Sequence, residues 1–154
     1  MDPNECDSAR GTPIAVGIGL ISRNGRFLVR KRPKGTVYAG YWEFPGGKCE
    51  PGELPAQAVE RECLEETGLD VVVGRRRCMK LHSYPHGLVE LHFHDCRPAE
   101  RSAEPAPETG FCWKTAHELT ALRFPEANEA IVAELVREAD AGGPAGPGES
   151  DGIL

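Results

Sequence analysis

Apolar positions near the start of the chain fall into two short runs parted by a turn signal. Ile14-Ala15-Val16-Gly17-Ile18-Gly19-Leu20-Ile21 reads as one strand and Phe27-Leu28-Val29-Arg30 as its return. Asn24-Gly25 between them accepts positive φ at both positions, so the two runs are expected to form a hairpin. A loop with Pro33, Lys34 and Gly35 leads to Trp42-Glu43-Phe44-Pro45-Gly46-Gly47. The period then changes to that of a helix. Pro55 suits its first turn, Ala56, Val59 and Cys63 form its core face, and Gly68 ends it.

Further along, Val71-Val72-Val73 and Lys80-Leu81-His82-Ser83-Tyr84 read as strands, with Arg75-Arg76-Arg77 between them as a solvated turn or, less readily, a patch that attracts polyphosphate. Leu88 to Asp95 alternates in strand fashion, Pro98 to Pro107 is a polar loop, and Phe111-Cys112-Trp113 is a short strand. Glu129 to Ala139 is a second helix with Ile131, Leu135 and Val136 facing inward. Strand, strand, helix, several strands, helix predicts an α/β fold: a mixed sheet with helices packed against it. There is no internal repeat. The 154 residues suffice for one core. The expected organisation is a flexible N-terminus over 1–11, one domain over 12–140 and a disordered Gly/Pro-rich tail over 141–154.

Charge narrows the partners. A formal net charge of -6 argues against a groove for a nucleic-acid polymer. A small polyphosphate remains open to it if metal ions bridge the two sets of negative charge. Met1 to Gly11 shows no signal-peptide pattern, and the longest apolar stretch, Pro13 to Ile21, is too short to cross a membrane. The 6 cysteines, at 6, 49, 63, 78, 96 and 112, show neither zinc-knuckle nor disulfide-scaffold spacing. Free thiols in a cytoplasmic protein are the expectation, as a monomer or homodimer.

The chemistry concentrates in Gly47-Lys48-Cys49-Glu50-Pro51-Gly52-Glu53 and, seven residues on, Arg61-Glu62-Cys63-Leu64-Glu65-Glu66-Thr67-Gly68-Leu69. Glu62, Glu65 and Glu66 lie on one helix face about a turn apart. Like charges that close repel, and an all-oxygen set suits a hard cation such as Mg²⁺ or Mn²⁺. Arg61 can pair with Glu53 or another carboxylate and hold the loop to the helix. Read without its surroundings, the acidic run is an ordinary solvated helix face.

The whole segment resembles the Nudix box, G-x5-E-x7-R-E-U-x-E-E-x-G-U with U apolar. Every fixed position is met, and Cys63 takes one U position as a small hydrophobe. Tyr41-Trp42-Glu43-Phe44-Pro45-Gly46-Gly47-Lys48, Arg30-Lys31-Arg32 and Phe124-Pro125-Glu126-Ala127-Asn128-Glu129 resemble segments of MutT-type Nudix members. The likeness runs over about residues 13 to 138. It implies a Nudix-type α/β/α sandwich and a Mg²⁺-dependent (or Mn²⁺-dependent) hydrolase of a nucleoside polyphosphate. Water would attack a phosphorus of a nucleoside triphosphate, the β one, oxidised or modified dNTPs such as 8-oxo-dGTP included, giving NMP and pyrophosphate.

The resemblance also implies roles. Glu65 and Glu66 become metal ligands with the Gly46 carbonyl, and Glu62 a metal ligand or general base. Glu53 and Arg61 support them. An acidic residue outside the box completes the site: Glu108, with Glu104 as the alternative. Asn128 reads a base edge, its amide offering a donor and an acceptor in one plane; its other reading is a helix N-cap. Arg32 contacts phosphate or base, and Phe44 packs near the base or in the core. Pro85-His86-Gly87 lacks the arginine that MutT-type members often carry there. Tyr84 and Pro85 instead sit where dinucleoside polyphosphate and ADP-ribose hydrolases carry a tyrosine or a proline, which keeps those substrates as an alternative. An inactive nucleotide-sensing module is the non-enzyme alternative. His92, His94 and Cys96 alternate along one strand and could share a face. They line the cleft or a half-buried face, or less readily hold zinc.

Overall fold

The computed structural model describes residues 12–85 and 87–142. The expected loose N-terminus, His86 and nearly all of the expected tail lie outside the described residues.

β1 (Ile14–Arg23) turns at Asn24 and Gly25, at φ 54° and 76°, into β2 (Arg26–Lys31). This is the hairpin that the Asn-Gly pair predicts. β3 (Trp42–Glu43) pairs with β2, and β4 (Gly46–Lys48) with β1. Helix α1 (Pro55–Thr67) follows. Next come β5 (Val71–Tyr84), β6 (Gly87–Pro98), a single turn at Pro107–Thr109 and β7 (Cys112–Thr115). Helices α2 (Ala116–Leu119) and α3 (Glu129–Asp140) complete the described chain.

The sheet has seven strands in the order β3-β2-β1-β6-β5, with β4 beside β1 and β7 beside β2. β1 and β6 run parallel at the centre and every other pair is antiparallel. Its two faces carry separate apolar clusters. Leu20, Val29, Leu91 and Phe93 meet Leu119, Ile131, Val132 and Leu135 on one side. Ile21, Leu28, Val71 and Cys96 meet Val59 and Cys63 of α1 on the other. A sheet between two helical layers is the expected α/β/α sandwich. Alternation along β1 explains how α1 comes so near. Val16, Ile18 and Leu20 point to the α3 side, which leaves Gly17 and Gly19 beneath α1. A Cβ on Gly17 would lie 2.6 Å from the Pro55 carbonyl oxygen, so only glycine admits the helix there.

Several elements differ from expectation. Val71–Val73 and Lys80–Tyr84 belong to one strand, and the Arg75–Arg77 run lies within it rather than in a turn. Register shifts between Val73 and Arg76 and again between Arg76 and Cys78 re-aim the side chains. The Arg77 side chain is consequently only 8% exposed and meets Asp95 of β6 (2.9 Å), Glu134 (3.1 Å) and Glu138 of α3. Three carboxylates from two elements compensate one buried cation, a contact no local pattern contains. On α1, Ala58 and Thr67 are buried with Val59 and Cys63, whereas Ala56 is half-exposed. Thr67 tolerates burial because its hydroxyl donates to the Cys63 carbonyl (2.6 Å) and accepts from the Leu69 N–H (3.0 Å). Helix α2 was unforeseen, although Thr115-x-x-Glu118 is a capping box: Glu118 N–H donates to Thr115 Oγ1, and Thr115 N–H to Glu118 Oε1.

Candidate active site

The acidic face of α1 is built before any ligand is considered. Gln57 accepts the Leu54 N–H at 2.8 Å and Pro55 opens the helix. Gly68, at φ 83°, closes it with an N–H bond to the Leu64 carbonyl (3.0 Å). Between these ends the core face carries Val59 and Cys63 and the opposite rows carry Arg61, Glu62, Glu65 and Glu66.

Arg61 organises the rest. Its Nε and Nη2 donate to the two oxygens of Glu53 at 2.8 Å each. Nη2 also donates to the Lys48 carbonyl (3.1 Å), and Nη1 to Glu62 (2.9 Å) and Glu65 (3.4 Å). One guanidinium thus ties the loop over 48–53 to two of the four glutamates of α1. Arg61 holds Glu53 well below the usual carboxylate range, at about 2, and the Glu50 N–H donated to Glu53 adds to this. Glu53, in turn, raises the Arg61 pKa above its ordinary value.

Glu66 has the opposite environment. It turns inward and accepts the Gly46 N–H at 3.1 Å. Burial pushes its pKa up to about 7; the Gly46 N–H opposes this, and the nearby charges of Glu62 and Glu43 add to it. Gly47 makes room for Glu62: a Cβ there would lie 2.5 Å from the Glu62 carboxyl carbon. Glu62 and Glu66 therefore both lie against the Gly46–Gly47 backbone of β4, while Glu65, 58% exposed, sits at the rim.

A second wall comes from β2, β3 and the Pro107–Thr109 turn. Arg30 pairs with Glu43 (2.7 Å), donates to the Thr109 carbonyl (3.4 Å) and lies 4.8 Å over the Phe111 ring. Its charge is also felt at Glu66. Glu108 is exposed on that turn, next to the carbonyl that Arg30 holds. Glu104, the alternative acidic residue, is engaged elsewhere, by Arg23 (2.6 Å) and the Trp113 indole N–H (3.0 Å). Sequence reasoning gave Arg30 and Glu43 no role in the site. Their signal, arginine on one strand opposite glutamate on another, becomes visible only once β2 and β3 are known to pair.

The residues expected to contact substrate fall in three environments. Arg32 bonds Glu43 (2.5 Å) and the Val37 carbonyl (2.7 Å), so its guanidinium is partly committed. Phe44 is 6% exposed and stacks on Phe124 at 5.2 Å, which makes it part of the core. Asn128 precedes α3 but makes no capping hydrogen bond, and its half-buried amide has no partner among the described residues. The N-cap reading of Asn128 is thereby corrected. His92, His94 and Cys96 do share a face, the α1 side of β6, and all are buried. His92 lies between Glu90 (3.0 Å) and Arg76 (3.4 Å), and His94 meets the Gly74 carbonyl (3.2 Å).

The donors against β4 are carboxylate and carbonyl oxygens, the set a hard divalent cation takes. A glutamate whose proton affinity is raised by burial and by a neighbouring glutamate fits a site whose positive charge comes from bound metal. Among the described residues, no three His, Cys, Asp or Glu side chains already converge as a ligand set. Glu62 and Glu65 instead lean on Arg61.

Comparison with known proteins gives the same frame. The NUDIX domain family model matches residues 17–134. The CTP pyrophosphohydrolase of Escherichia coli K12 is 36% identical over 56% of this chain and 78% of its own. The 8-oxo-dGTP diphosphatase of Haemophilus influenzae is 33% identical over 81% of this chain and 93% of its own. Among solved structures, the MutT protein of methicillin-resistant Staphylococcus aureus 252 superposes with a TM-score of 0.62 at 27% identity, over 83% of this chain and 98% of its own. A Nudix box folded onto a mixed sheet, and matched in this way from end to end of the domain, identifies the chain as a member of the Nudix family, a MutT-like hydrolase of phosphoanhydride bonds.

Proposed function

We propose that the protein is a Mg²⁺-dependent pyrophosphohydrolase that converts a nucleoside triphosphate and water into a nucleoside monophosphate and pyrophosphate, clearing modified nucleotides from the pool. The observation that carries this reading is Glu66, half-buried against the Gly46–Gly47 backbone beside Glu62 and raised to about 7. Glu62 has Arg61 as its partner, whereas buried Glu66 has only the Gly46 N–H, and a bound metal ion supplies the charge it lacks.

In this reading Glu62, Glu65 and Glu66 hold the metal with the Gly46 carbonyl, and Glu108 completes the set from the facing turn. Bound Mg²⁺ would neutralise charge on the phosphates and lower the pKa of the attacking water. Arg61 and Glu53 fix the loop against α1, so that the glutamates keep their directions. Glu62 or Glu65, both within reach of Arg61, takes the proton of the attacking water. Arg32 receives a phosphate or the base, and the amide of Asn128, without a partner among the described residues, reads the base edge. The relatives' names point to two base classes, cytosine and oxidised guanine.

The test is turnover of CTP, dCTP, 5-methyl-dCTP, dGTP, 8-oxo-dGTP, ADP-ribose and a diadenosine polyphosphate with Mg²⁺ in ¹⁸O-labelled water. A Glu65→Gln variant runs alongside. NMP and pyrophosphate, with the label in pyrophosphate and the activity lost in the variant, are the expected result. Hydrolysis confined to ADP-ribose or the diadenosine compound would replace the substrate class. Tight nucleotide binding with no turnover would replace the enzyme by a sensor.

A further inference from the structure

The loop between β2 and β3 presents two adjacent exposed apolar side chains, Val37 (74% exposed) and Tyr38 (41%). Tyr38 adopts φ 62°, a left-handed conformation that crowds the Cβ of an L-residue. A tyrosine kept there works against local stability, and such positions cluster where a side chain must be presented to something.

The loop itself is well fixed. Arg32 N–H donates to the Tyr41 carbonyl (2.7 Å), Gly40 N–H to the Arg32 carbonyl (3.2 Å), and Arg32 Nε to the Val37 carbonyl (2.7 Å). The Tyr38 ring meets Tyr41 edge-on at 5.2 Å. The Arg123 guanidinium lies 4.4 Å over Tyr41, and its carbonyl accepts the Trp42 N–H at 2.7 Å. These contacts join the loop to the segment that leads through Phe124 to Asn128. At the end of β5, Tyr84 packs edge-on against His82 (4.5 Å) and against the α3-side cluster. Burial raises the Tyr84 phenol above its ordinary value, and Tyr38 adds to the rise.

We propose that Tyr38 is a substrate-binding residue, whose ring stacks on the nucleobase. The assignment rests on the nucleotide reading of the site given above. Every base has a π-face, so a stacking tyrosine strengthens binding of any nucleobase, while an amide such as Asn128 discriminates among them. Aromatic rings suit the task because they lose little side-chain freedom on binding.

Tyr38→Gly separates presentation from support, because glycine accepts φ 62° and removes the ring. With the full chain and Mg²⁺, calorimetry would measure binding of CMP, GMP and ribose 5-phosphate, alongside KM, kcat and Tm. The expected result is a weakening of both nucleotides, and a rise in KM, by about tenfold. Ribose 5-phosphate should bind as before, the loss should fall on KM rather than kcat, and Tm should not drop. Tyr38→Trp should restore the nucleotide affinity. Unchanged nucleotide affinity in the glycine variant, or an equal loss for ribose 5-phosphate, would sink the stacking role even if wild-type turnover upholds the nucleotide reading. A wild-type protein that binds neither nucleotide overturns both.

Discussion

Arg61 and Glu53 form a two-pronged ion pair, Nε to Oε2 and Nη2 to Oε1 at 2.8 Å each, across the junction of loop and helix. The planar fork of arginine makes both bonds at once, while a lysine ammonium would keep at most one of that geometry. Glu53 is only 14% exposed, so the pair is sheltered as well as well aligned. Arg61→Lys is expected to fold and to lose about 10- to 100-fold in kcat/KM, the usual effect of disturbing groups that orient metal ligands. A thermal melt beside the kinetics checks this; full activity in the lysine variant would mean that the fork does not matter.

Glu53 and Glu66 pull pH stability in opposite directions. Glu53 is depressed to about 2, so its contribution is present above the ordinary carboxylate value and is lost as pH falls toward 2. Glu66 is raised to about 7, so the folded protein binds its proton more tightly than the unfolded chain does. Its contribution is therefore present below the ordinary value and is lost as pH rises through about 7. With a chelator present, Glu66→Gln is expected to stabilise the protein at pH 8 by about 1–3 kcal/mol and to do little at pH 4.5. Activity should vanish. Urea unfolding at the two pH values decides, and a loss of stability at pH 8 would contradict the assigned environment.

Arg77 stands apart from the site, on the α3 side, held by Asp95, Glu134 and Glu138. Arg77→Met would leave three carboxylates around a place where a cation was. The expected loss is about 1–3 kcal/mol, the range for hydrogen bonds to charged groups, because the carboxylates left behind are still reached by water. Per folded molecule kcat should be unchanged. Chemical denaturation with activity measured on the folded fraction tests both parts.

Two glycines should respond differently to alanine. At Gly17 the new methyl meets backbone, the Pro55 carbonyl oxygen at 2.6 Å, and α1 must shift away from the sheet. At Gly47 it meets the Glu62 carboxyl group, the mobile end of a side chain. Gly17→Ala should therefore lose about 1–3 kcal/mol of stability, as overpacking does. Gly47→Ala should keep its Tm and lose turnover because Glu62 is turned away. Equal melting losses in the two variants would refute the distinction.

Asn128 makes no cap, so Asn128→Ala should change stability by less than the ~1 kcal/mol typical of losing an N-cap. Discrimination among bases should fall instead, read as the ratio of kcat/KM for the preferred triphosphate and its nearest competitor. A melting loss with unchanged discrimination would return Asn128 to a helix-end role.

What the sequence determined by itself is local. The Asn24-Gly25 hairpin, the start of α1 at Pro55 and its stop at Gly68 follow from backbone chemistry within a few residues. The box places Arg61, Glu62, Glu65 and Glu66 on one helix because their spacing fixes their direction, and Ile131 and Leu135 follow from the same periodicity. Tertiary structure decided whatever depends on contacts between distant segments. The Arg75–Arg77 run looks like a solvated turn until register shifts in β5 bring Arg77 under α3. Phe44, ambiguous along the chain, is core because Phe124 lies on it. Glu66 and Glu65 are neighbours in sequence with similar intrinsic chemistry, yet one is raised to about 7 and the other stands at the rim. Burial and the approach of Glu43, Arg30 and the Gly46 N–H make that difference. Desolvation and long-range charge are properties of position in the fold, and spacing along the chain carries no record of them.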